Sequence, residues 1–177
     1  DTSPGLVYFT GSSRPIRDLR NYGVLSFTDM LVRSSNVAAS KIGVELGPER
    51  LLRYVRRFGF GQTISTDFPG QSRGIVHPAA NLSDSDLARV SIGYTIAVTP
   101  LQMAAAMNAV ANGGELVEPR VVRALRSEDE RVAVSRRVIR RVIASSTASA
   151  LTRILEDVVA RGTARAAQLT GYTVSGK

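Results

Sequence analysis

The sequence predicts an α+β fold, with helices through much of the chain and short strands near both ends and around one charged turn. Three observations support this. Several segments repeat apolar residues at helical spacing and start at side chains that cap helices. Other segments alternate and are bounded by glycine, proline or asparagine turns. Hydrophobic residues make up 44% of the 177, which suits a sizeable core and not a disordered chain.

Gly5 to Thr10 alternates weakly, Gly11-Ser12-Ser13 turns, and Pro15 to Asp18 returns as a second short strand. Leu25 to Arg33 reads as a helix with Ser26 as N-cap and an Asp29–Arg33 ion pair at i,i+4. Ser34 to Leu46 reads as the next helix, and Gly47 ends it. Pro48 suits the first position of a third helix, Glu49 its first turn, and Arg53, Arg56 and Arg57 its C-terminal dipole end before Gly59. Phe60 to Pro78 is rich in turn formers and reads as loop. Ser83 to Asp86 looks like a cap before a short helix over Leu87 to Ile92.

Thr99-Pro100-Leu101-Gln102 is the clearest helix start, because Thr99 caps, Pro100 takes the first position and Gln102 completes a capping box. Met103 and Met107 in that helix are expected in the core. Val117 to Arg123 and Arg131 to Ile143 read as strands around Glu128-Asp129-Glu130. A long helix follows from about Ser146 to Ala160, with Leu151, Ile154, Leu155, Val158 and Val159 as its buried stripe. Ala164 to Leu169 adds a helical turn, and Tyr172 to Ser175 alternates as a last strand.

Composition excludes several chemistries. There are no cysteines, so disulfides and thiolate metal sites are absent. His77 is the single histidine and reads as a solvated loop residue, so neither a histidine-rich metal site nor a Ser-His-Asp triad can be built. Serine chemistry here needs a lysine or carboxylate as base. The net charge of +8 is carried almost wholly by arginine. The arginines are scattered and not interleaved with stacking aromatics, which disfavours nucleic-acid binding. No apolar run approaches the length of a membrane span.

Two short segments carry the chemistry. Arg33-Ser34-Ser35-Asn36-Val37 can aim a hydroxyl and an amide into one pocket, although serine and asparagine at a helix start ordinarily cap it. The functional reading requires that another group caps the helix while Ser34 and Asn36 face the pocket. Ser175-Gly176-Lys177 can hold an ammonium against a carboxylate or an alkoxide-like oxygen, although a lone strand-end lysine is ordinarily just exposed.

The order of several segments decides between these readings. The chain resembles the transpeptidase domain of class B penicillin-binding proteins. The resemblance runs through Arg33 to Val37, Phe58-Gly59-Phe60-Gly61, Phe68-Pro69-Gly70-Gln71, Ser91-Ile92-Gly93-Tyr94 and Val98 to Gln102. It continues through Ala111-Asn112-Gly113-Gly114 with Pro119, Arg161-Gly162-Thr163-Ala164 and Gly171 to Lys177. Gln71 stands where the family often has glutamate. The Ser91 to Tyr94 segment, without a nearby Trp-Lys, resembles the cell-division branch more than the elongation branch.

This resemblance implies the fold of penicillin-binding transpeptidases and serine β-lactamases, an antiparallel sheet beside a mostly helical subdomain. Three motifs build the family's site: a serine nucleophile with a lysine three residues on, a Ser-x-Asn, and a Lys-Thr-Gly or Lys-Ser-Gly. Ser34 and Asn36 match the second, with Ser35 in the middle slot, and Lys177 matches the first residue of the third. The resemblance implies that Ser34 relays protons, Asn36 holds the substrate's amide, Lys177 supports Ser34 and recognises a carboxylate, and Ser35 adjoins the substrate. No Ser-x-x-Lys fits the nucleophile motif, because Ala38 and Val174 stand three residues before Lys41 and Lys177.

Residues 1–177 are therefore expected to be roughly half of such a domain, running from after the nucleophile motif to the start of the third motif. Exposed apolar faces and unpaired strand edges are expected with it. The implied partners are peptidoglycan stem peptides, β-lactams and, through a longer parent, other envelope or division proteins; no nucleic acid, metal or organic cofactor is implied. The implied location is the extracytoplasmic face of a bacterial envelope, the parent being anchored in the inner membrane by a segment outside these residues. A non-catalytic sensor or scaffold of the same fold and, remotely, a basic nucleic-acid-binding domain are the alternatives.

Overall fold

The structure, a computed structural model, describes residues 1–177. In chain order the elements are β1 (Leu6–Val7), β2 (Ile16–Arg17), α1 (Phe27–Val32), α2 (Asn36–Leu46), α3 (Pro48–Arg57), α4 (Asp84–Val90) and α5 (Pro100–Ala111). There follow β3 (Glu115–Val117), β4 (Ala124–Arg126), β5 (Arg131–Ala133), β6 (Val138–Arg141) and α6 (Ser145–Arg161), so the chain is α+β as expected. It divides into two compact units, residues 1–53, 77–96 and 149–177 in the first and residues 54–76 and 97–148 in the second.

In the first unit, β1 and β2 pair antiparallel, with Leu6 opposite Arg17 and Val7 opposite Ile16. α1 starts where the Ser26 hydroxyl accepts from the Asp29 N–H at 3.0 Å. α4 carries a capping box between Ser83 and Asp86. It begins three residues earlier than the apolar spacing suggests, because Asp84, Ser85 and Asp86 suit a helical first turn. Val32, Val37, Leu52, Leu87 and Val158 are fully buried here.

The expected Asp29–Arg33 pair is replaced. Asp29 pairs with Arg161 at 2.8 Å, and Arg161 also holds Asp157 at 3.0 Å, so one guanidinium bridges two carboxylates. Hydrogen bonds from Arg161 and then Ser26 hold the Asp29 carboxyl below the ordinary aspartate range. Arg33 instead lies over the Tyr22 ring at 5.6 Å. The helix is six residues long and Arg33 is its C-cap, outside the regular turn that an i,i+4 pair needs.

Gly43 of α2 packs where no side chain fits. A Cβ there would stand 1.7 Å from Ser91 Oγ, which donates to the Leu87 carbonyl at 2.8 Å. Gly43→Ala is expected to cost about 1–3 kcal/mol by overpacking, seen as a lower melting temperature. An unchanged melting temperature would show that α2 and the Ser91 turn can move apart freely.

In the second unit, Ile64, Ala105, Ala109, Leu116 and Val142 form a buried cluster with Phe58, Leu101, Ile139 and Ile143 packed on it. α5 begins with the expected capping box: Gln102 Oε1 accepts from the Thr99 N–H at 2.9 Å and Thr99 Oγ1 accepts from the Gln102 N–H at 3.1 Å. The Gln102 side chain also donates to the Gln62 and Arg73 carbonyls at 2.9 and 3.0 Å, so it ties the loop over residues 60–78 to the helix start. Gln71 donates to the Ser65 and Phe68 carbonyls, which a glutamate could not do.

Met103 and Met107, expected in the core, lie on the surface at 46% and 41% exposure. The alanines Ala105, Ala106 and Ala109 face inward instead, allowing close packing. The two long strands expected around the charged turn are four short ones: β4 pairs with β5 across that turn, and β3 pairs with β6. Pro119, which has no N–H to give a ladder, lies in the gap between β3 and β4. Of the clustered arginines Arg136, Arg137, Arg140 and Arg141, three form ion pairs to Glu115 and Glu118 at 2.8–2.9 Å, whereas the buried Arg140 Nε has no hydrogen-bond partner.

Tyr172 to Ser175 is not a strand. The segment finds a helix and not a strand beside it, the Gly176 N–H donating to the Leu155 carbonyl of α6 at 3.3 Å. All three sheets are two-stranded, so every strand has an open edge. Among the apolar side chains, Leu19, Val24 and Tyr172 are 92%, 82% and 78% exposed. No helix is long and apolar enough to cross a membrane.

Candidate functional site

The expected site residues gather in the first unit, where α1 ends and α2 begins. α1 closes in a Schellman motif: the Ser35 N–H donates to the Met30 carbonyl at 3.0 Å and the Ser34 N–H to the Leu31 carbonyl at 3.2 Å. Such a motif needs left-handed backbone at its turning residue, usually glycine. Here that residue is Ser34, with φ +54°. A side chain at this conformation costs on the order of 1 kcal/mol. Ser34 therefore ends the first helix; the sequence had placed it at the start of the second.

Ser35 is the N-cap of α2, its Oγ accepting from the Ala38 N–H at 3.1 Å. The same hydroxyl donates to Asp18 Oδ2 at 2.7 Å, and Asp18 Oδ1 accepts from the Val37 N–H at 3.0 Å. Asp18, the residue after β2, thus secures the start of α2 from outside the helix. Ser35, expected beside the substrate, is 3% exposed and has its hydroxyl engaged inside the fold. With Ser35 capping, Ser34 and Asn36 are released from that task.

The Ser34 hydroxyl is half-buried and lies 3.0 Å from Thr163 Oγ1. Thr163 follows α6, and its N–H donates to the Val32 carbonyl at 3.3 Å. Gly162 permits this approach, since a Cβ there would stand 2.4 Å from the Val32 oxygen.

Lys177 reaches the same turn. Its Nζ donates at 3.1 Å to the Leu31 carbonyl, the oxygen that also receives the Ser34 N–H. The residue is exposed overall, but desolvation of its ammonium lowers its pKa below the ordinary lysine value of 10.5. Asn36 opens α2 on the surface and its Nδ2 donates to the Arg17 carbonyl at 3.2 Å, leaving the amide oxygen for a ligand N–H.

This arrangement puts a hydroxyl with a hydroxyl partner and an ammonium on one helix-ending turn, with an amide two residues on. Such groups can pass a proton and stabilise an anionic oxygen. Sequence reasoning did not single out Thr163 or Asp18. Thr163 stands in the Arg161-Gly162-Thr163-Ala164 segment that helped carry the resemblance, whereas Asp18 gave no signal beyond ending a short strand.

A model of the penicillin-binding protein transpeptidase domain matches residues 7–177. Penicillin-binding protein PbpB of Mycolicibacterium smegmatis is 35% identical over 184 residues, covering 98% of this chain and 28% of its own length. The D,D-transpeptidase domain of a peptidoglycan glycosyltransferase from Eggerthella lenta superposes with a TM-score of 0.88 at 28% identity, over 99% of this chain and 46% of that one. Penicillin-binding protein 3 of Mycobacterium tuberculosis in complex with aztreonam matches with a TM-score of 0.78 at 32% identity, over 97% of this chain and 37% of that one. The chain thus spans less than a third of that curated relative and less than half of either solved chain.

Proposed function

The chain belongs to the penicillin-binding protein transpeptidase domain family, and from that premise we propose that it carries two of the three walls of a peptidoglycan D,D-transpeptidase site. The carrying observation is the convergence of the Ser34 N–H and the Lys177 ammonium on the Leu31 carbonyl, with the Ser34 hydroxyl on Thr163. Ser34 and Lys177 act together, and Asn36 holds the donor peptide. The nucleophilic serine and its lysine lie outside these residues, because no Ser-x-x-Lys fits within them.

In the proposed reaction that serine attacks the carbonyl between the last two D-alanines of a stem peptide, and its lysine takes the proton. Ser34 passes a proton to the leaving D-alanine, and Lys177 stabilises the relay and the substrate carboxylate. The amine of a second stem peptide then takes the acyl group. β-Lactams acylate the same serine, a reading supported by the aztreonam complex of the related mycobacterial protein. No metal or organic cofactor enters. The protein works at the extracytoplasmic face of a bacterial envelope beside division proteins, held by an anchor outside these residues.

Labelled penicillin tests this reading on the full-length protein and on residues 1–177 alone. Covalent labelling of the full-length protein only is expected. If neither is labelled, the enzyme reading falls and a non-catalytic module of the same fold takes its place.

The lowered Lys177 pKa adds a pH prediction. A lysine whose folded pKa is depressed loses its charge at lower pH than a free one. The acylation rate should therefore decline as pH rises toward, and before it reaches, 10.5. Lys177→Arg, with a cation that stays charged, should remove that decline at the cost of a lower plateau. An alkaline limb unchanged in Lys177→Arg would assign the titration to another group.

A further inference from the structure

Asn36 borders a cavity of about 270 Å³ in the first unit, lined in part by Ile92, Tyr94 and three arginines, Arg14, Arg17 and Arg89. We propose that this cavity is a subsite for a carboxylate at the end of a stem-peptide side chain, with Arg89 and Arg14 as its specificity-determining cations. The proposal rests on the reading of Asn36 as a donor-peptide residue and extends it to what the donor must carry.

Charge is the first reason. No aspartate or glutamate lines the cavity. Arg89 is half-buried, and its guanidinium donates to the neutral hydroxyls of Ser12 at 3.0 Å and Ser85 at 3.5 Å. The ion pairs of this unit use Arg161 and not Arg89, Arg14 or Arg17. The neighbouring carboxylate of Asp18 accepts from Ser35 and Val37, and that of Asp86 accepts from Ser83 and only then feels the Arg89 charge, with no direct ion pair to it. Three arginines therefore line one concavity that no carboxylate lines, and the nearest acidic influence on Arg89 is Asp86, one turn back on its own helix and outside the lining. A guanidinium aimed by neutral partners is ready for a carboxylate, which accepts its N–H groups in a matched fork.

Size and walls point the same way. A volume of about 270 Å³ falls below the ~300–1,000 Å³ usual for a whole small-molecule ligand and suits one side chain. Ile92 and Tyr94 supply apolar walls for its methylene stem. Tyr94 is presented by a constrained turn, Gly93 at φ +88° before it and Thr95 at φ +56° after it. Asn36 is fixed at the rim by its bond to the Arg17 carbonyl. A peptide held by Asn36 can send the adjoining side chain inward, where a carboxylate is welcomed, a carboxamide is neutral and an ammonium is repelled.

The test uses the full-length protein and two D-Ala-D-Ala peptides that differ only in a carboxylate or carboxamide ending the preceding residue's side chain. Both binding and turnover are measured. The carboxylate peptide should be preferred roughly tenfold. Arg89→Gln should abolish the preference, and Arg89→Lys should restore part of it. Arg14→Gln should weaken it as well; the Arg14 side chain holds nothing else in the fold, so this variant remains informative should Arg89→Gln misfold. Equal use of the two peptides by the wild type, or a preference surviving in both glutamine variants, overturns the subsite while leaving the transpeptidase reading intact. Preferred binding of the carboxylate peptide without turnover upholds the subsite and overturns the transpeptidase reading.

Discussion

Ser34→Gly is expected to silence acylation while leaving the protein more stable than Ser34→Ala. Both variants remove the hydroxyl that faces Thr163 at 3.0 Å. If Ser34 relays the proton, both should lower the rate of acylation by labelled penicillin by about 10²–10³-fold, within the range of a lost acid–base group. The two differ only at the backbone. Ser34 sits at φ +54°, where alanine keeps the steric cost and glycine does not. Ser34→Gly should therefore exceed Ser34→Ala in unfolding free energy by about 1 kcal/mol. Paired rate and denaturation measurements check both halves. Wild-type acylation by Ser34→Ala would end the relay role, and equal stabilities would mean the turn is relaxed.

That a serine stands where the backbone favours glycine is a feature that sequence alone could not give. Read as a string, Arg33-Ser34-Ser35-Asn36 offers three candidate caps in a row, and any of them could have opened α2. The structure separates them by backbone conformation: Ser34 takes the Schellman turn and Ser35 takes the cap. The deciding partner for Ser35 is Asp18, distant in sequence, and no local pattern points to it.

The legible parts were those with local causes. The Thr99–Gln102 capping box, the Ser26 cap, the Gly47 stop and the long α6 need only neighbours within a turn. The misread parts had tertiary causes. Met103 and Met107 share a helix with alanines that pack more closely, so the smaller residues took the inside. Tyr172 to Ser175 alternates as a strand should, but a strand also needs a partner edge, and here its end meets α6. Lys177 carried almost no signal as a lone lysine, and no local pattern points to the Leu31 carbonyl that it shares with Ser34.

Gly162→Ala is expected to damage both stability and catalysis. The added Cβ would stand 2.4 Å from the Val32 oxygen and 2.8 Å from that of Val158, and both are backbone atoms that cannot swing aside. The end of α6 must then retreat from the end of α1, breaking the Thr163 N–H bond to Val32 at 3.3 Å and drawing Thr163 Oγ1 from Ser34. Overpacking of this kind costs about 1–3 kcal/mol, and misplacing a catalytic partner by an ångström can cost about 10²-fold in rate. Thr163→Val separates the two effects, because it deletes the hydroxyl and leaves the backbone approach alone. Thr163→Val should melt near the wild type and lose part of the acylation rate, whereas Gly162→Ala should lose on both counts. If Gly162→Ala is as stable and as fast as the wild type, the close approach of these two helix ends has no part in presenting Ser34.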